Sequence, residues 1–422
     1  MINTIKNKFI KNKLLFENFF SLSTLQAVNY VIPLLTLPYL VRVLGPDKFG
    51  LVVFAQAFVT YFVLITDYGF NFSATREISI NRNNIKKISK IFYSIFVVKI
   101  ILFFLSLIIF LILVFIVPKF RQEYLLFLFS FMYVLGALFF PTWLFQGMEK
   151  MKYITIINVL IKLIFIIPIF IFIQTKSDYI LVPIINSLSF LICGLVGFLV
   201  AIKIFKINFL VPSKTEIIYQ FKEGWHIFIS TIFISVYTTS NVFILGLFTN
   251  NTMVGYYSAS EKIIKACQGL IAPISQALYP HISKLVSESR QKTLIFLKKL
   301  TVIIGIGTFL ISSIMFIFAE QIVLIILGPD YILSILILRI LAFIPFIIAL
   351  SNIFGVLGLF NFNKQKVVAK IIIFGAIISL TLTLLLIPVY QAIGVAISWL
   401  VTEIFITASF LYYLKKEAEK ND

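Results

Sequence analysis

Residues 256–269 read YYSASEKIIKACQG and lie within an apolar run over residues 253–279. The run is long enough to cross a bilayer, because a spanning helix needs about 20 predominantly apolar residues. Glu261, Lys262 and Lys265 nevertheless stand close to its middle. An ionised side chain at the centre of a spanning helix costs about 2.5–3.5 kcal/mol on insertion scales. If this segment spans the membrane, its charges must face water or an opposite charge.

The composition of the whole chain indicates that the segment does span a membrane. The chain has 422 residues, of which 60% are hydrophobic and 13% charged, and its mean hydropathy is +1.05. Soluble proteins carry about 25% charged residues. Apolar runs long enough to span recur along the whole length. Because only helices and closed barrels satisfy their backbone hydrogen bonds inside a bilayer, we predict an all-α polytopic membrane protein.

Gly, Pro, Asn and charged residues divide the chain into about twelve predicted spanning helices. No connection between them is long enough to hold a folded domain, so we expect the protein to act within the membrane. The N-terminal sequence MINTIKNKFIKNK is basic and has no small-residue cleavage site, which predicts an uncleaved cytoplasmic tail. The predicted spans are 17–43, 49–70, 91–117, 124–146, 152–173, 178–204, 224–248, 253–280, 293–318, 331–358, 366–388 and 391–414.

The basic residues indicate which side of the membrane each connection faces. If both termini are cytoplasmic, the tails and cytoplasmic connections carry about 26 Lys and Arg residues, against about 5 on the opposite side. Cytoplasmic loops of inserted proteins carry such an excess, so we predict cytoplasmic N- and C-termini. The net charge of +19 is part of this topology signal. It does not indicate nucleic-acid binding, because the basic residues form no RNA- or DNA-binding motif.

A faint internal repeat suggests that the chain has two halves. GPDKFGLVVFAQAFVT at 45–60 resembles NNTMVGYYSASEKIIK at 250–265, and an offset of 205 residues matches Gly50 with Gly255. Internal repeats are a common plan of secondary transporters, whose sites lie near the membrane midplane. We therefore predict two pseudo-symmetric six-helix bundles around a central cavity. The expected domains are residues 1–206 and residues 207–422.

Polar side chains form stripes along the second, seventh and eighth predicted helices. Their spacings are mostly 3, 4 and 7 residues, which places the members of each stripe on one helix face. Such helices have one polar and one apolar side, so we expect the polar sides to line the cavity. The uncharged residues predicted to line it are Gln56, Thr60, Tyr237, Asn241 and Gln268.

Five basic residues lie inside the predicted spans. Facing lipid, they would together cost on the order of 12–17 kcal/mol, which exceeds the net stability of most folded proteins. The acids within spans are fewer, so positive charge remains in excess and predicts an anionic cargo. Internal ion pairs and snorkelling side chains are the alternative explanation. The five basic residues are Lys99, Lys162, Lys262, Lys265 and Arg339, and the acids are Asp67, Glu261 and Glu403.

The chain carries no recognisable catalytic or metal-binding motif. Walker A, HExxH and GxSxG patterns are absent, as is Cys/His metal-ligand spacing. Cys193 and Cys267 both lie in apolar runs, which argues against a disulfide framework. We therefore predict a transporter that is not an enzyme, binds no metal or cofactor and does not use ATP directly.

Several stretches of the chain resemble the Wzx-type O-antigen and polysaccharide flippases. The similarity covers nearly the full chain and is densest in the seventh, eighth and tenth predicted helices. The stretches are LGPDKFG at 44–50, DYGFNFSATREIS at 67–79, PTWLFQGMEKM at 141–151, and the longer segments 222–283 and 327–355.

This resemblance implies the fold of a superfamily that also includes multidrug antiporters and the peptidoglycan-precursor flippase. It implies alternating access and an undecaprenyl-pyrophosphate-linked O-antigen repeat unit as cargo. The cargo would pass from the cytoplasmic to the periplasmic leaflet of a bacterial inner membrane, coupled to protons or sodium. A separate polymerase and a chain-length regulator would be partners. A cation-coupled drug antiporter of the same fold is the alternative, but its spans should hold an excess of acids.

With this cargo, the charged residues acquire expected roles. Lys and Arg side chains can replace the water around pyrophosphate oxygens with charge-assisted hydrogen bonds. The expected anion site comprises Lys162, Lys262, Lys265 and Arg339. Arg76, next to Glu77 at the cytoplasmic end of the second helix, would catch the head group or serve the inward gate. The residues expected to carry a coupling proton, oppose a cation or gate are Asp67, Glu77, Glu261 and Glu403.

Overall fold

The computed structural model describes residues 2–419, and no β-strand occurs in this range. The side chains of residues 2–16, 19, 233, 234, 236–238, 270–274, 276, 277 and 280 lie outside the described part. The predicted cavity residue Tyr237 is among these, so its side chain falls outside the described residues. The regular structure is helical throughout, which confirms the predicted all-α class.

Fifteen α-helices follow one another over residues 2–419. They are α1 (Ile2–Asp67), α2 (Phe70–Ile80), α3 (Ile85–Ile116), α4 (Pro118–Arg121), α5 (Tyr124–Phe139), α6 (Thr142–Gly147), α7 (Met151–Phe172), α8 (Leu181–Phe205), α9 (Lys214–Phe248), α10 (Asn251–Glu288), α11 (Arg290–Ile317), α12 (Ala319–Ile326), α13 (Ile332–Leu341), α14 (Ile344–Ser351) and α15 (Gln365–Glu419). Short 3₁₀-helices occupy Lys176–Ile180 and Pro329–Tyr331, and a π-helix occupies Asn352–Leu359.

Two of these helices are pairs of helices joined at a kink. In α1 the kink is at Gly45 (φ 68°, ψ 172°), and Pro46 follows it. Glycine adopts a positive φ without steric cost, and proline is pre-organised for the first position of a helix. In α15 the kink is at Gln391 (φ 48°, ψ −123°). With both kinks counted, each of the twelve predicted spans overlaps helical structure. The span 124–146 corresponds to α5 and α6, and the span 331–358 corresponds to α13, α14 and the π-helix.

The outer faces of the helices are apolar, as a bilayer requires. Eight described helical segments are long and apolar enough to cross a membrane. In α3, Phe104, Ile108 and Ile112 follow a four-residue spacing and are exposed, whereas Lys99 and Ser106 of the same helix are buried. Burying the polar residues and exposing the apolar ones is the arrangement expected of a helix in lipid. The chain is therefore a multi-pass membrane protein.

The chain divides into two compact units. Unit 1 comprises Met1–Ile32 and Ala55–Ile232, and unit 2 comprises Pro33–Phe54 and Phe233–Asp422. This division does not test the expected domain boundary between residues 206 and 207, which stays a prediction. Each unit has its own apolar core. The core of unit 1 includes Phe92, Ile95, Trp143 and Leu144, and that of unit 2 includes Ile353, Leu357, Ile371 and Phe410.

Close helix packing in unit 1 depends on small residues. In the α5–α8 pair, a Cβ added at Gly194 would lie 2.6 Å from the carbonyl oxygen of Gly136. Membrane helices associate through such close backbone approaches, because lipid provides no hydrophobic force between apolar helices. This packing fixes Ala137 of α5, whose carbonyl oxygen takes part in the site described next.

Candidate functional site

Unit 1 contains a cavity of about 180 Å³ that is lined by both polar and aromatic side chains. The polar side chains are Asn29 and Asp67 of α1, Thr142 of α6 and Asn158 of α7. Phe190 of α8 forms part of its apolar wall. Asp67 was predicted as a coupling or gating residue, and the structure places it at this cavity.

The Asp67 carboxylate at the cavity forms an ion pair with the buried Lys99. The Nζ of Lys99 lies 2.8 Å from the Oδ1 of Asp67 and donates a second hydrogen bond of 2.6 Å to the carbonyl oxygen of Ala137. The Lys99 side chain is only 3% exposed, whereas that of Asp67 is 31% exposed. Lys99 is thus held by two acceptors, and its charge is offset by the one carboxylate that reaches it.

A second lysine of unit 1, the half-buried Lys162, is held by an amide. The Nζ of Lys162 donates to the Oδ1 of Asn29 over 2.6 Å. One turn earlier in α7, the Nδ2 of Asn158 donates to the carbonyl oxygen of Ile154 over 2.8 Å. Lys162 and Asn158 lie four residues apart and share one helix face. No described carboxylate lies within 4.0 Å of Lys162, so its positive charge is not neutralised by an ion pair.

In unit 2, α10 brings three predicted residues together. The Oε1 of Glu261 lies 2.9 Å from the Nζ of Lys265, an i,i+4 ion pair in which the Glu261 side chain is 8% exposed. The Nζ of Lys262 lies 5.3 Å from the ring centroid of Phe49, within the range of a cation–π interaction. Within the described residues, Lys262 has no carboxylate closer than 4.0 Å. Glu261 therefore offsets Lys265, and the charge of Lys262 remains in excess.

Asn241 and Gln268, two of the residues predicted to line the cavity, have polar atoms buried within unit 2. The Nδ2 of Asn241, a buried residue of α9, donates to the phenol oxygen of the fully buried Tyr257 over 3.4 Å. The Nε2 of Gln268 in α10 is buried and has no hydrogen-bond partner among the described residues. Asn241 is thus occupied within unit 2, whereas Gln268 retains an unused donor.

The other two predicted charges of unit 2 lie on different helices. Arg339 is half-buried in the last turn of α13, where the helix dipole stabilises a cation. Glu403 of α15 is buried, and its Oε1 accepts a hydrogen bond of 3.3 Å from the indole nitrogen of Trp399. Both charges therefore lie inside unit 2, on separate helices.

The remaining predicted residues lie in unit 1. Arg76 is exposed on α2, and the adjacent Glu77 is half-buried and accepts a hydrogen bond of 2.9 Å from the Nε2 of Gln220. Thr60 donates its hydroxyl to the carbonyl oxygen of Gln56 over 2.9 Å, within the same helix. Arg76 and Glu77 do not pair with each other, although they are neighbours in the sequence.

Four residues at or beside the cavity of unit 1 are not predicted from the sequence to belong to the site. The sequence places Lys99 within a predicted span but does not assign it to the site, and it does not predict Asn29, Thr142 or Asn158 there. The available signal was the presence of Asn29 and Asn158 inside long apolar runs, and the i,i+4 spacing of Asn158 and Lys162. The pairing of Lys99 with Asp67 joins two separate helices and has no local signature.

Comparison with known proteins gives a family match and two full-length relatives. The family model described as "Polysaccharide biosynthesis protein" matches residues 15–286. The chain is 36% identical over 406 residues to a protein of Escherichia coli (strain K12), covering 96% of this chain and 98% of that protein. It is 31% identical over 400 residues to a protein of Shigella dysenteriae, covering 94% of this chain and all of the other. Both relatives bear the name "Putative O-antigen transporter".

Solved structures of transporters share the fold. An inward-facing multidrug resistance transporter of the MATE family superposes with a TM-score of 0.71 at 13% identity, covering 94% of this chain and 99% of that one. The lipid II flippase MurJ, in an inward closed conformation, superposes with a TM-score of 0.65 at 16% identity, covering 95% of this chain and 87% of that one. At these identities the likeness shows the fold alone.

Proposed function

We infer the function of this chain from the fact that it belongs to the polysaccharide biosynthesis protein family, whose model matches residues 15–286. The resemblance to Wzx-type flippases, seen first in the sequence, is confirmed by the two full-length relatives. We propose that the protein moves undecaprenyl-pyrophosphate-linked O-antigen repeat units from the cytoplasmic to the periplasmic leaflet of a bacterial inner membrane. The observation that carries this proposal is the 36% identity over 96% of the chain to a relative named as an O-antigen transporter.

The physical problem of this reaction is the passage of a hydrated anion through hydrocarbon. A charged group costs tens of kcal/mol to transfer without compensation. A cation presented inside the protein can replace the lost water with charge-assisted hydrogen bonds to phosphate oxygens. Lys262 supports this role because no described carboxylate neutralises it, and Glu261 holds Lys265 one turn away. We assign the pyrophosphate contact in unit 2 to Lys262 and Lys265.

Three further basic residues are proposed as contacts of the same anion along its path. Arg339 is inside unit 2, Lys162 is held by Asn29 in unit 1, and Arg76 is exposed at the predicted cytoplasmic end of the second span. An exposed arginine is suited to meeting the head group first, since its planar guanidinium binds phosphate in a bidentate manner. The polar side chains Gln56, Thr60, Asn241 and Gln268 are proposed to contact sugar hydroxyls.

A proton or sodium gradient is proposed to drive the cycle. Two carboxylates, Asp67 and Glu261, each hold one lysine in the structure. A proton or cation that binds such a carboxylate weakens its hold on the lysine, which couples ion binding to the position of a cargo-binding charge. Glu403 and Glu77 are proposed as additional coupling or gating groups. Both termini are proposed to be cytoplasmic, and a polymerase and a chain-length regulator would act on the flipped product.

The proposal is tested in a strain that lacks its own O-antigen flippase and expresses this full-length chain. Lys262→Ala, Lys265→Ala and Arg339→Ala are compared with Lys284→Ala, whose side chain is 78% exposed in a surface pair with Glu288. Surface O-antigen and lipid-linked repeat units on the cytoplasmic leaflet are measured at matched protein levels.

We expect Lys262→Ala to lower surface O-antigen about tenfold, since one lost charge-assisted hydrogen bond is worth ~1.5–3 kcal/mol. Lipid-linked repeat units should accumulate in parallel, and Lys284→Ala should behave as the wild type. Unchanged O-antigen in all three variants would remove the anion-site assignment. Expression that lowers drug accumulation without restoring O-antigen would contradict the proposal and favour a drug antiporter.

A further inference from the structure

The cavity of unit 1 has a size and a lining that suit one particular part of the proposed cargo. Its volume is 180 Å³. Pockets for drug-sized ligands are about 300–1,000 Å³, so this cavity suits a smaller ligand, comparable with one sugar ring and its hydroxyls, and is much too small for a whole repeat unit. We infer that this cavity is a subsite for a single pyranose ring of the oligosaccharide. The inference rests on the proposed function, because it names a contact of the same cargo.

The polar groups of the cavity have hydrogen-bonding capacity that the protein does not use. The Oδ2 of Asp67, the Nδ2 of Asn29, the Oδ1 of Asn158 and the hydroxyl of Thr142 form no hydrogen bond with any described residue. In Asp67, Asn29 and Asn158 the second polar atom of the same side chain already forms a hydrogen bond within the protein. That bond fixes the orientation of the atom that remains unused. The cavity therefore offers two oriented acceptors, one oriented donor and one hydroxyl that can do either.

The apolar part of the lining completes the match to a sugar. Phe140 and Phe190 both line the cavity, and the ring of Phe190 is stacked on Tyr133 with centroids 4.2 Å apart. This stacking holds the Phe190 ring in a fixed orientation. A pyranose carries hydroxyls around its rim and C–H groups on its faces, so it needs polar groups and an apolar wall at the same site. Binding pockets commonly combine an apolar lining with a few well-placed polar groups.

A charged ligand fits this cavity less well than a neutral one. Asp67 is the one carboxylate that lines it, and the Nζ of Lys99 lies 2.8 Å from that carboxylate. No group of three or more His, Cys, Asp or Glu side chains that could hold a metal ion occurs among the described side chains. An anion that entered the cavity would meet the carboxylate of Asp67, which repels negative charge.

The experiment uses the purified full-length protein in nanodiscs. Thr142→Val and Asn158→Leu remove one polar group each with little change of shape, and Thr301→Val is the control. The Thr301 hydroxyl donates to Leu297 in α11 of unit 2 and does not line the cavity. Dissociation constants are measured by saturation-transfer NMR for methyl glycosides of the sugars in the host's repeat unit, and separately for inorganic pyrophosphate.

We expect Thr142→Val and Asn158→Leu each to weaken the binding of at least one glycoside about 3–10-fold, as the loss of one neutral hydrogen bond predicts. Pyrophosphate binding should not change, and Thr301→Val should bind both probes as the wild type does. If Asn158→Leu does not fold, as judged by gel filtration, Phe190→Leu replaces it and should weaken the same glycoside.

Unchanged glycoside binding in folded variants would overturn the subsite. Failure of the proposed function gives a different pattern. In that case Lys262→Ala leaves pyrophosphate binding and surface O-antigen unchanged, while Thr142→Val still weakens the binding of a glycoside. The two proposals can therefore fail separately.

Discussion

Gly50 and Gly255, which the internal repeat aligns, lie against each other in unit 2. A Cβ added at Gly50 would lie 1.9 Å from the carbonyl oxygen of Asn251, and a Cβ added at Gly255 would lie 2.0 Å from that of Pro46. Asn251 and Pro46 are themselves aligned by the same offset of 205 residues. The two contacts are copies of each other, so the repeat in the sequence corresponds to a local two-fold relation between the starts of two helices.

This contact predicts that neither glycine tolerates a side chain. In Gly255→Ala the added methyl group would overlap backbone atoms that cannot rotate away, and overpacking of this kind costs about 1–3 kcal/mol. Gly307→Ala is the matched control, because nothing lies within 4 Å of a Cβ at that position. Replacing an open helical glycine by alanine should instead stabilise the protein by ~0.5–1 kcal/mol.

The thermal unfolding midpoint of the purified protein in detergent distinguishes the two variants. We expect Gly255→Ala and Gly50→Ala to lower it and Gly307→Ala to leave it unchanged or raise it. A Gly255→Ala protein as stable as Gly307→Ala would mean that the two helix starts are not in backbone contact.

The helical spans could be predicted from the sequence because each depends on local apolar length. The kink at Gly45 was also foreseeable, since a Gly-Pro pair separates two predicted spans. The kink at Gln391 was less predictable, because a glutamine rarely adopts the positive φ of 48° that this position has. The break between α13 and α14 falls inside the single predicted span 331–358, and the apolar pattern of that span does not mark it.

The candidate site was less predictable than the fold. The i,i+4 pair of Glu261 and Lys265 is a local pattern, and the structure contains it. The pairing of Lys99 with Asp67 brings together different helices, and the choice of partner follows from tertiary packing. The Nζ of Lys99 is directed to Asp67 of α1 and to the carbonyl oxygen of Ala137 of α5.

The Lys99–Asp67 pair predicts a specific order of stability among variants. Lys99→Met should destabilise the protein by less than the about 3–5 kcal/mol that breaking a fully buried pair costs, because the Asp67 carboxylate that it leaves unpaired is 31% exposed. Asp67→Asn should also destabilise it, because the almost fully buried Lys99 then lacks its carboxylate. The double variant Lys99→Met/Asp67→Asn should recover most of the loss. Unfolding midpoints in detergent measure this order, and additive losses in the double variant would contradict the coupling.

A cluster around Glu417 should stabilise the end of unit 2. The two carboxylate oxygens of Glu417 lie 3.0 Å from Arg290 and 3.2 Å from Lys364, which ties α15 to the start of α11 and to the segment before α15. We expect Glu417→Gln to cost about 1–3 kcal/mol, because it weakens two charge-assisted contacts of a nearly buried carboxylate. Glu288→Gln is the control, since its pair with Lys284 is exposed and such pairs contribute ~0–1 kcal/mol. Equal unfolding midpoints for the two variants would show that the cluster adds no stability.

The contact between Lys262 and Phe49 predicts how the proposed anion site responds to conservative changes. An arginine at position 262 can keep a cation over the Phe49 ring and bind phosphate, whereas a methionine removes the charge. We therefore expect Lys262→Arg to retain at least half of the surface O-antigen and Lys262→Met to lose about nine-tenths of it. Phe49→Leu keeps the lysine but removes the ring that positions it, so surface O-antigen should fall ~2–5-fold, the equivalent of ~0.5–1 kcal/mol. If Phe49→Leu changed export while Lys262→Met did not, the ring would act on the protein through packing, and the charge of Lys262 would have no part in transport.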